Sequence, residues 1–169
     1  MKHSLRTAES ISFVTASILG TIFHFIYKWS GDNPVAGIFF PVNESTWEHL
    51  KLIFFPIMIL SIIEYFVLDG QYKNFICIKF LSALLAMIMT IILFYTYTGV
   101  YGKNSDVMNI LIYFLSMAAA YWFSYRSLKR NRLCHVSSLV CYWGFIIMTL
   151  LFIVFTLFPP NIGLFISPV

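Results

Sequence analysis

Five separate stretches of the sequence are apolar for about 20 residues each, and they constrain the fold more than any other feature. A helix needs about 20 apolar residues to cross the hydrocarbon core of a bilayer. The stretches occupy residues 8–28, 47–68, 75–98, 107–125 and 137–158. Only 11% of the residues are charged, against about 25% in soluble domains, so the chain lacks the charge to coat a soluble globule. The sequence therefore predicts an all-α integral membrane bundle of five transmembrane helices in one domain, residues 1–169.

The connector between the first two predicted helices, residues 29–46, is longer than the others. It contains an apolar patch at 35–42 that is too short to cross a bilayer. Irregular backbone at membrane depth is tolerated where neighbouring protein protects it. We therefore expect a re-entrant or interfacial loop that folds over the outer mouth of the first two helices. A short outer tail, residues 159–169, follows the last helix.

The positions of lysine and arginine predict the orientation, because short loops rich in these residues stay in the cytoplasm. With the N-terminus inside, eight of the eleven basic residues lie on the cytoplasmic side. They are Lys2, Arg6, Lys73, Lys79, Arg126, Lys129, Arg130 and Arg132. The predicted N-terminus is therefore cytoplasmic, and the C-terminus and the 29–46 loop lie outside.

The net charge and the cysteines exclude several other classes of protein. The basic residues sit at the ends of apolar stretches, where they set orientation, so we expect no nucleic-acid partner. Three cysteines without a C-x-x-C spacing argue against a disulfide framework and against a zinc ribbon. We interpret Cys77, Cys134 and Cys141 as small apolar side chains within the bundle.

The densest group of polar residues lies at the outer ends of the first two predicted helices. Ser45 and Glu48 fit the capping box, in which the two side chains bond to free backbone N–H groups at a helix start. This pattern accounts for both residues without any function, but it does not account for His24 or His49. The candidate polar site consists of His24, Tyr27, Asn43, Glu44, Glu48, His49 and Lys51.

The two histidines lie at similar depths on helices that are neighbours in sequence. Imidazole and carboxylate groups are ligands for zinc and other divalent ions, so His24, Glu48 and His49 are candidate metal ligands for a zinc-like ion. The spacing is not that of the H-E-x-x-H motif, and no zincin mechanism is implied. Two other interpretations stay open: a hydrogen-bonded network that holds the loop, and a solvated loop with no special role.

Two charged residues, Glu64 and Lys79, lie well inside the apolar stretches. A charge inside a bilayer is costly and usually faces a partner. The two residues flank the same cytoplasmic connector at similar distances, so antiparallel helices would bring them to one depth. We predict a buried ion pair between them. The alternative is that Lys79 reaches the headgroups and Glu64 reaches its own connector.

Three motifs carry a resemblance to a known family. They are Trp-Ser-Gly-Asp-Asn-Pro at 29–34, Pro-Val-Asn-Glu-Ser-Thr-Trp-Glu-His-Leu-Lys at 41–51 and Pro-Pro-Asn-Ile-Gly-Leu-Phe at 159–165. The chain resembles a family of small multi-pass membrane proteins of unknown function, mostly from Gram-positive anaerobic bacteria. This resemblance implies a bacterial cytoplasmic membrane. It implies no catalytic residue, because the family has no established activity.

Three function classes are compatible with these features. The first is a protein that binds or transports a small solute or ion, with its polar site at the outer mouth. The second is a metal-dependent, hydrolase-like membrane enzyme that uses His24, Glu44, Glu48 and His49. The third is a scaffold or interaction subunit. Whether the chain is an enzyme stays open, and the expected partners are the lipid bilayer, a solute or ion, and a second copy or another membrane protein.

Overall fold

The computed structural model describes residues 4–68, 70–130 and 137–168, and this part of the chain is helical without any strand. Lys2, Arg132 and Cys134, which entered the predictions above, lie outside the described residues. The helices are α1 (Leu5–Trp29), α2 (Pro34–Phe39), α3 (Thr46–Val67), α4 (Phe75–Tyr101), α5 (Asp106–Arg130) and α6 (Ser138–Leu157), and a 3₁₀ turn (Gly163–Phe165) follows.

Five of these helices, all except α2, are long and apolar enough to cross a membrane. The prediction of an all-α bundle with five such helices is therefore confirmed. The helix bounds differ from the predicted ones mainly at the ends that carry charge, since α1 begins at Leu5 and α5 continues to Arg130. A helix continues through polar residues beyond the apolar stretch because the backbone hydrogen bonds persist there.

The bundle has two ends, which we name for what they carry. The loop end contains the C-terminus of α1, the N-terminus of α3 and the segment 30–45 between them. The amino end contains the N-terminus of α1, the C-terminus of α3 and the N-termini of α4 and α6. The two groups of buried charge lie at opposite ends, so these names are used below.

Helix α3 lies in the middle of the bundle. It packs against α1, α4, α6 and the 3₁₀ turn. In its most apolar window 61% of the residues are buried, against 17% for α6. A helix that is apolar on every face is normally surrounded by other elements, and α3 fits that rule. The exposed apolar side chains of α6 therefore face whatever surrounds the bundle.

Helix α1 approaches α3 and α5 closely at Gly20. A Cβ atom at this position would collide with the carbonyl oxygen of Leu52 and with the hydroxyl of Tyr113. The Tyr113 hydroxyl donates to the Ser17 carbonyl at 3.0 Å, across the same contact. Small residues allow such approaches where lipid gives no hydrophobic drive for association. The contact fixes the spacing of the three helices.

The segment between α1 and α3 contains the short helix α2, which packs against α1 and α6. The Asn33 side chain caps this helix and Pro34 occupies its first turn, which are the favoured residues at these positions. Six residues rise only about 9 Å, so α2 cannot cross a membrane. Gly37 is buried against Tyr27 and Val42. The loop therefore folds back onto the loop end of the bundle.

Candidate functional site

His24, Glu44 and His49 converge at the loop end. His24 lies in the last two turns of α1, His49 lies in the first turn of α3, and Glu44 immediately precedes the Ser45 cap of α3. One potential ligand atom from each residue lies within 4.8 Å of the other two. Glu44 is 3.3 Å from Nε2 of His49 and 4.0 Å from Nε2 of His24. Three groups that can bind a metal thus face one another.

The protons of His49 follow from its hydrogen bonds. Its Nδ1 lies 2.9 Å from the Ser45 carbonyl oxygen. A carbonyl can only accept, so Nδ1 carries a proton and donates it. Nε2 then faces the Glu44 carboxylate, and a lone pair does not attract a carboxylate. A positive charge must stand between them, either a proton on Nε2 or a bound cation.

The same contact affects the acidity of Glu44. A hydrogen bond from His49 holds the pKa of the Glu44 carboxyl below its usual value of 4.5, and the nearby histidine charges act in the same direction. Glu44 is therefore an anion at neutral pH. Its side chain is 56% exposed and the two histidine side chains are each 32% exposed. Small ions can reach the group from the solvent.

A cavity of about 270 Å³ adjoins this group. Its wall includes four of the predicted site residues, and it also includes Ser167 from the C-terminal tail. The lining residues are His24, Tyr27, Lys28, Pro41, Val42, Asn43, Glu44 and Ser167. The tail thus reaches the site, although residues 159–169 carried no sequence signal for a role there.

Glu48 does not join the histidines, although the sequence pattern made it a candidate metal ligand together with them. Its carboxylate accepts from Lys51 Nζ at 2.8 Å, from the Val42 N–H at 3.0 Å and from the Thr156 hydroxyl at 2.8 Å. Successive helix residues point about 100° apart, so Glu48 faces the interior while His49 faces the loop. Glu44 is the carboxylate that meets both histidines.

The capping prediction at this helix start is confirmed in one half. The Ser45 hydroxyl accepts from the Glu48 N–H, as the motif requires. The reciprocal bond is absent within the described residues, because the Ser45 N–H donates to the Asn43 side chain. Because the Glu48 side chain is not used to cap the helix, it can pair with Lys51 instead. This pairing keeps Glu48 inside the bundle and away from the surface.

Lys51 and Glu48 form a balanced buried pair, which we call the loop-end pair. Lys51 is fully buried and Glu48 is 2% exposed. The ammonium also donates to the Gly37 carbonyl at 2.8 Å and to the Phe40 carbonyl at 3.5 Å. One positive and one negative charge thus meet with their hydrogen bonds satisfied. The pair fastens α2 to α3 and is not accessible to a ligand.

A second buried group lies at the amino end, where Lys79 contacts Glu64 and also donates to Glu9 at 2.8 Å. The Ser124 hydroxyl donates to the same Glu9 oxygen at 2.6 Å. We call Glu9, Lys79 and Glu64 the triad. Glu9 and the loop-end pair are buried in addition to Glu64 and Lys79, the two charged residues that the sequence placed well inside the apolar stretches. The sequence signal for this third member of the triad was the position of Glu9 within the first apolar stretch, residues 8–28.

The prediction that the cysteines are isolated apolar side chains fails for two of them. Cys77 at the start of α4 and Cys141 at the start of α6 form a disulfide, with Cα atoms 5.0 Å apart. They are 64 residues apart in sequence, so no local spacing indicates the pairing. The bond joins α4 to α6 at the amino end.

Comparison with known proteins identifies the family of this chain but no activity. A model described as a family of unknown function, DUF6512, matches residues 4–169, so the chain belongs to that family. Comparisons with curated proteins and with solved structures gave no match.

Proposed function

We propose that this member of the DUF6512 family is a multi-pass membrane protein that binds a divalent, zinc-like metal ion at its outer mouth through His24, Glu44 and His49. Two imidazoles and one carboxylate are a ligand set found in zinc sites. The observation that carries the proposal is the 4.8 Å limit on the separations of their ligand atoms. Ligand atoms of a tetrahedral zinc ion lie about 3.4 Å apart, given bonds of about 2.0–2.1 Å. Small side-chain rotations would close the remaining gap.

The orientation of His49 supports this proposal. Histidines that bind metals usually donate their other ring N–H to a carbonyl or a carboxylate, which fixes the tautomer. Nδ1 of His49 donates to the carbonyl oxygen of Ser45. Ser45 is the N-cap of α3, so its position is fixed by the start of the helix. Nε2 is then the nitrogen that would bind the metal, and Glu44 lies beside it.

Ion binding is favoured over hydrolysis by the state of Glu48. A metal-dependent hydrolase needs a general base near the metal, and a free carboxylate is one of the groups that take this role. Glu48 was one of the four residues of the predicted hydrolase-like site, but Lys51 and two other donors hold it inside the bundle. Three protein ligands leave one position for water or for the Ser167 hydroxyl. A partly exposed site of this kind suits an ion that is taken up and released.

The proposed orientation places the loop end outside the cytoplasm. Its support is the distribution of lysine and arginine, since six of the nine that the structure describes lie at the amino end of the bundle. A cysteine at position 104, between α4 and α5, would then react with an impermeant thiol reagent on intact cells. A cysteine at position 71, between α3 and α4, would react only after the membrane is opened. Labelling with the sides exchanged would reverse the orientation.

The metal proposal is tested on the purified full-length chain. The protein is dialysed against zinc, and bound metal is measured by elemental analysis. We expect one equivalent in the wild type and a loss of most of it in His49→Ala and in Glu44→Gln. Glu44 is an exposed loop residue, so its substitution should leave the fold intact and separates metal loss from unfolding.

The matched control is Tyr27→Phe, which alters the cavity wall without removing a ligand. This variant should keep its zinc. A wild type without stoichiometric metal, or a Glu44→Gln variant that binds zinc as tightly as the wild type, would overturn the proposal.

A further inference from the structure

Four helices bring charged and polar side chains together at the amino end, where the triad meets Ser124 away from solvent. We propose that the triad is a binding site for a single proton, carried by Glu9, which exchanges through the cavity beside Glu9. No triad residue contributes to the metal centre, so the two proposals stand or fall separately.

The charge balance of the triad favours the binding of one proton. Two carboxylates and one ammonium leave a net charge of −1 when all are ionised. Glu9 and Glu64 are each 3% exposed and Lys79 is 1% exposed. An uncompensated charge in a low-dielectric interior is so costly that the group takes up a proton instead. Two carboxylates that share one site cannot both stay ionised cheaply.

The described residues around the triad do not compensate for this charge. From α5, Ser124 donates a neutral hydrogen bond and Tyr121 presents its ring to the ammonium at 5.1 Å. From α4, Phe75 presents a second ring at 5.3 Å. From α1, Arg6 lines the adjoining cavity but is exposed, and it forms no ion pair with either carboxylate among the described residues. The −1 charge therefore has no fixed partner within residues 4–68, 70–130 and 137–168.

An unused oxygen lies at the place where a proton would sit. Oε1 of Glu9 accepts from both Lys79 and Ser124. Oε2 of Glu9 is buried and has no hydrogen-bond partner within the described residues, and the same holds for Oε1 of Glu64. A buried acceptor that stays unpaired costs about 1–3 kcal/mol. Protonation of Oε2 converts it from a charged acceptor into a neutral hydroxyl donor.

The proton balance of this step is simple. The Glu9 carboxylate takes one proton from water on Oε2 and becomes a carboxylic acid, while Lys79 stays an ammonium paired with Glu64. The net charge of the triad changes from −1 to zero. No bond other than O–H forms, and no oxidant or co-reactant is involved.

The cavity next to Glu9 provides access. It has a volume of about 320 Å³ and is large enough for several waters. Its polar lining residues besides Glu9 include the hydroxyls of two tyrosines and a serine at the amino end. The lining consists of Arg6, Glu9, Ser10, Phe13, Val14, Ala118, Tyr121, Trp122 and Tyr125. A proton can thus reach Glu9 from the amino end without passing the other carboxylate.

Infrared spectroscopy of the purified full-length protein tests the proposal, because a protonated carboxyl has its own C=O stretching band. We expect the wild type to show this band at neutral pH. Glu9→Gln should lose it, and Glu64→Gln should lose it as well, because one carboxylate then balances Lys79. The matched control is Asp106→Asn, which removes an exposed carboxylate at the start of α5 and should leave the band unchanged.

Three results would overturn the proposal. They are a wild type without the band at neutral pH, a band that persists in both triad variants, and a band that sodium ions abolish. The last result would show that a monovalent metal cation occupies the site. Lys79→Gln adds a readout in the opposite direction, since two unpaired carboxylates should give about twice the band intensity.

Discussion

The two ends of the bundle bury lysines in different ways. At the loop end Lys51 meets one carboxylate and two carbonyl oxygens, and the charges cancel. At the amino end Lys79 meets two carboxylates. Among the residues that the structure describes, one negative charge is left without a counter-charge and an oxygen on each carboxylate lacks a hydrogen bond. An ion pair whose charges cancel and whose hydrogen bonds are all made has a structural role. A group with one surplus negative charge can bind a further cation, and this difference predicts that the amino end is the one that takes up a proton.

The loop end differs from the amino end in a second respect. Its histidines and Glu44 lie at the surface and not in the core, so its ligand can be a hydrated ion that sheds water on binding. The amino end offers only a buried oxygen beside a cavity. Under the two proposals each end binds a different cation, a divalent metal at one and a proton at the other.

The largest effect should follow removal of the lysine from the balanced pair. Lys51→Met leaves the Glu48 carboxylate buried without its counter-charge, and breaking such a pair costs about 3–5 kcal/mol. Denaturant unfolding in detergent, followed by circular dichroism, measures the loss. Lys28→Met, at an exposed position of the same end, is the control and should cost well under 1 kcal/mol. Equal losses of unfolding free energy in both variants would show that the pair of Lys51 and Glu48 does not stabilise the bundle.

The disulfide should give the next largest effect. A bond that closes a loop of this size stabilises a protein by about 2–4 kcal/mol, so reduction of the purified protein should lower its unfolding midpoint. Cys77→Ser should show no such response to reductant.

The disulfide also tests which end faces the cytoplasm. Thiols stay reduced there, so under the proposed orientation Cys77 and Cys141 should be free in acid-quenched cells and should pair after purification. Alkylation followed by mass spectrometry separates the two states. A bond already closed in cells would place the amino end in an oxidising compartment and exchange the roles of the two ends.

A smaller gain should follow the addition of a fourth ligand at the loop end. Ser167 lines the same cavity as His24 and Glu44, so Ser167→Asp places a carboxylate beside the proposed metal. We expect zinc affinity to rise about tenfold, which corresponds to roughly 1.4 kcal/mol. Calorimetric titration gives the value. Ser30→Asp, an exposed position outside that cavity, should leave the affinity unchanged, and an equal gain there would indicate a non-specific effect of charge.

The smallest effect should come from the amino end. Glu9→Gln has the shape of a protonated glutamate and removes the surplus charge, so its free energy of unfolding at neutral pH should differ from the wild type by less than about 1 kcal/mol. The comparison with Lys51→Met is made in the same detergent. A loss as large as that of Lys51→Met would mean that Glu9 is ionised and essential to the triad, and the contrast between the ends would disappear.

The five long helices are predictable because apolar length is a local property that each stretch carries by itself. The partners of the buried charges are not local. Lys79 contacts carboxylates on two other helices. Glu9 becomes one of its partners only because the fold brings α1 next to Lys79 of α4 and Ser124 of α5. The pairing of Cys77 with Cys141 depends in the same way on the contact between α4 and α6.

The candidate metal site was also only partly predictable from the sequence, although its residues are closer together in the chain. The two histidines could be grouped from sequence because neighbouring antiparallel helices bring their ends together. The choice of carboxylate depended on a rotation of about 100° between adjacent helix residues and on the burial of Lys51, which draws Glu48 inward. The contribution of Ser167 to the cavity depends on the path of the tail, and no sequence pattern predicts that path.

X-ray absorption at the zinc edge, on the zinc-loaded full-length protein, tests the metal centre most directly. The spectrum reports the atoms bound to zinc and not merely its presence. A centre at this site predicts two imidazole nitrogens together with oxygen ligands, and the loss of one imidazole in His49→Ala. A shell that contains sulfur would place the ion on cysteines, and a shell of oxygen alone would place it on surface carboxylates or water. Either result would contradict a centre built from His24, Glu44 and His49.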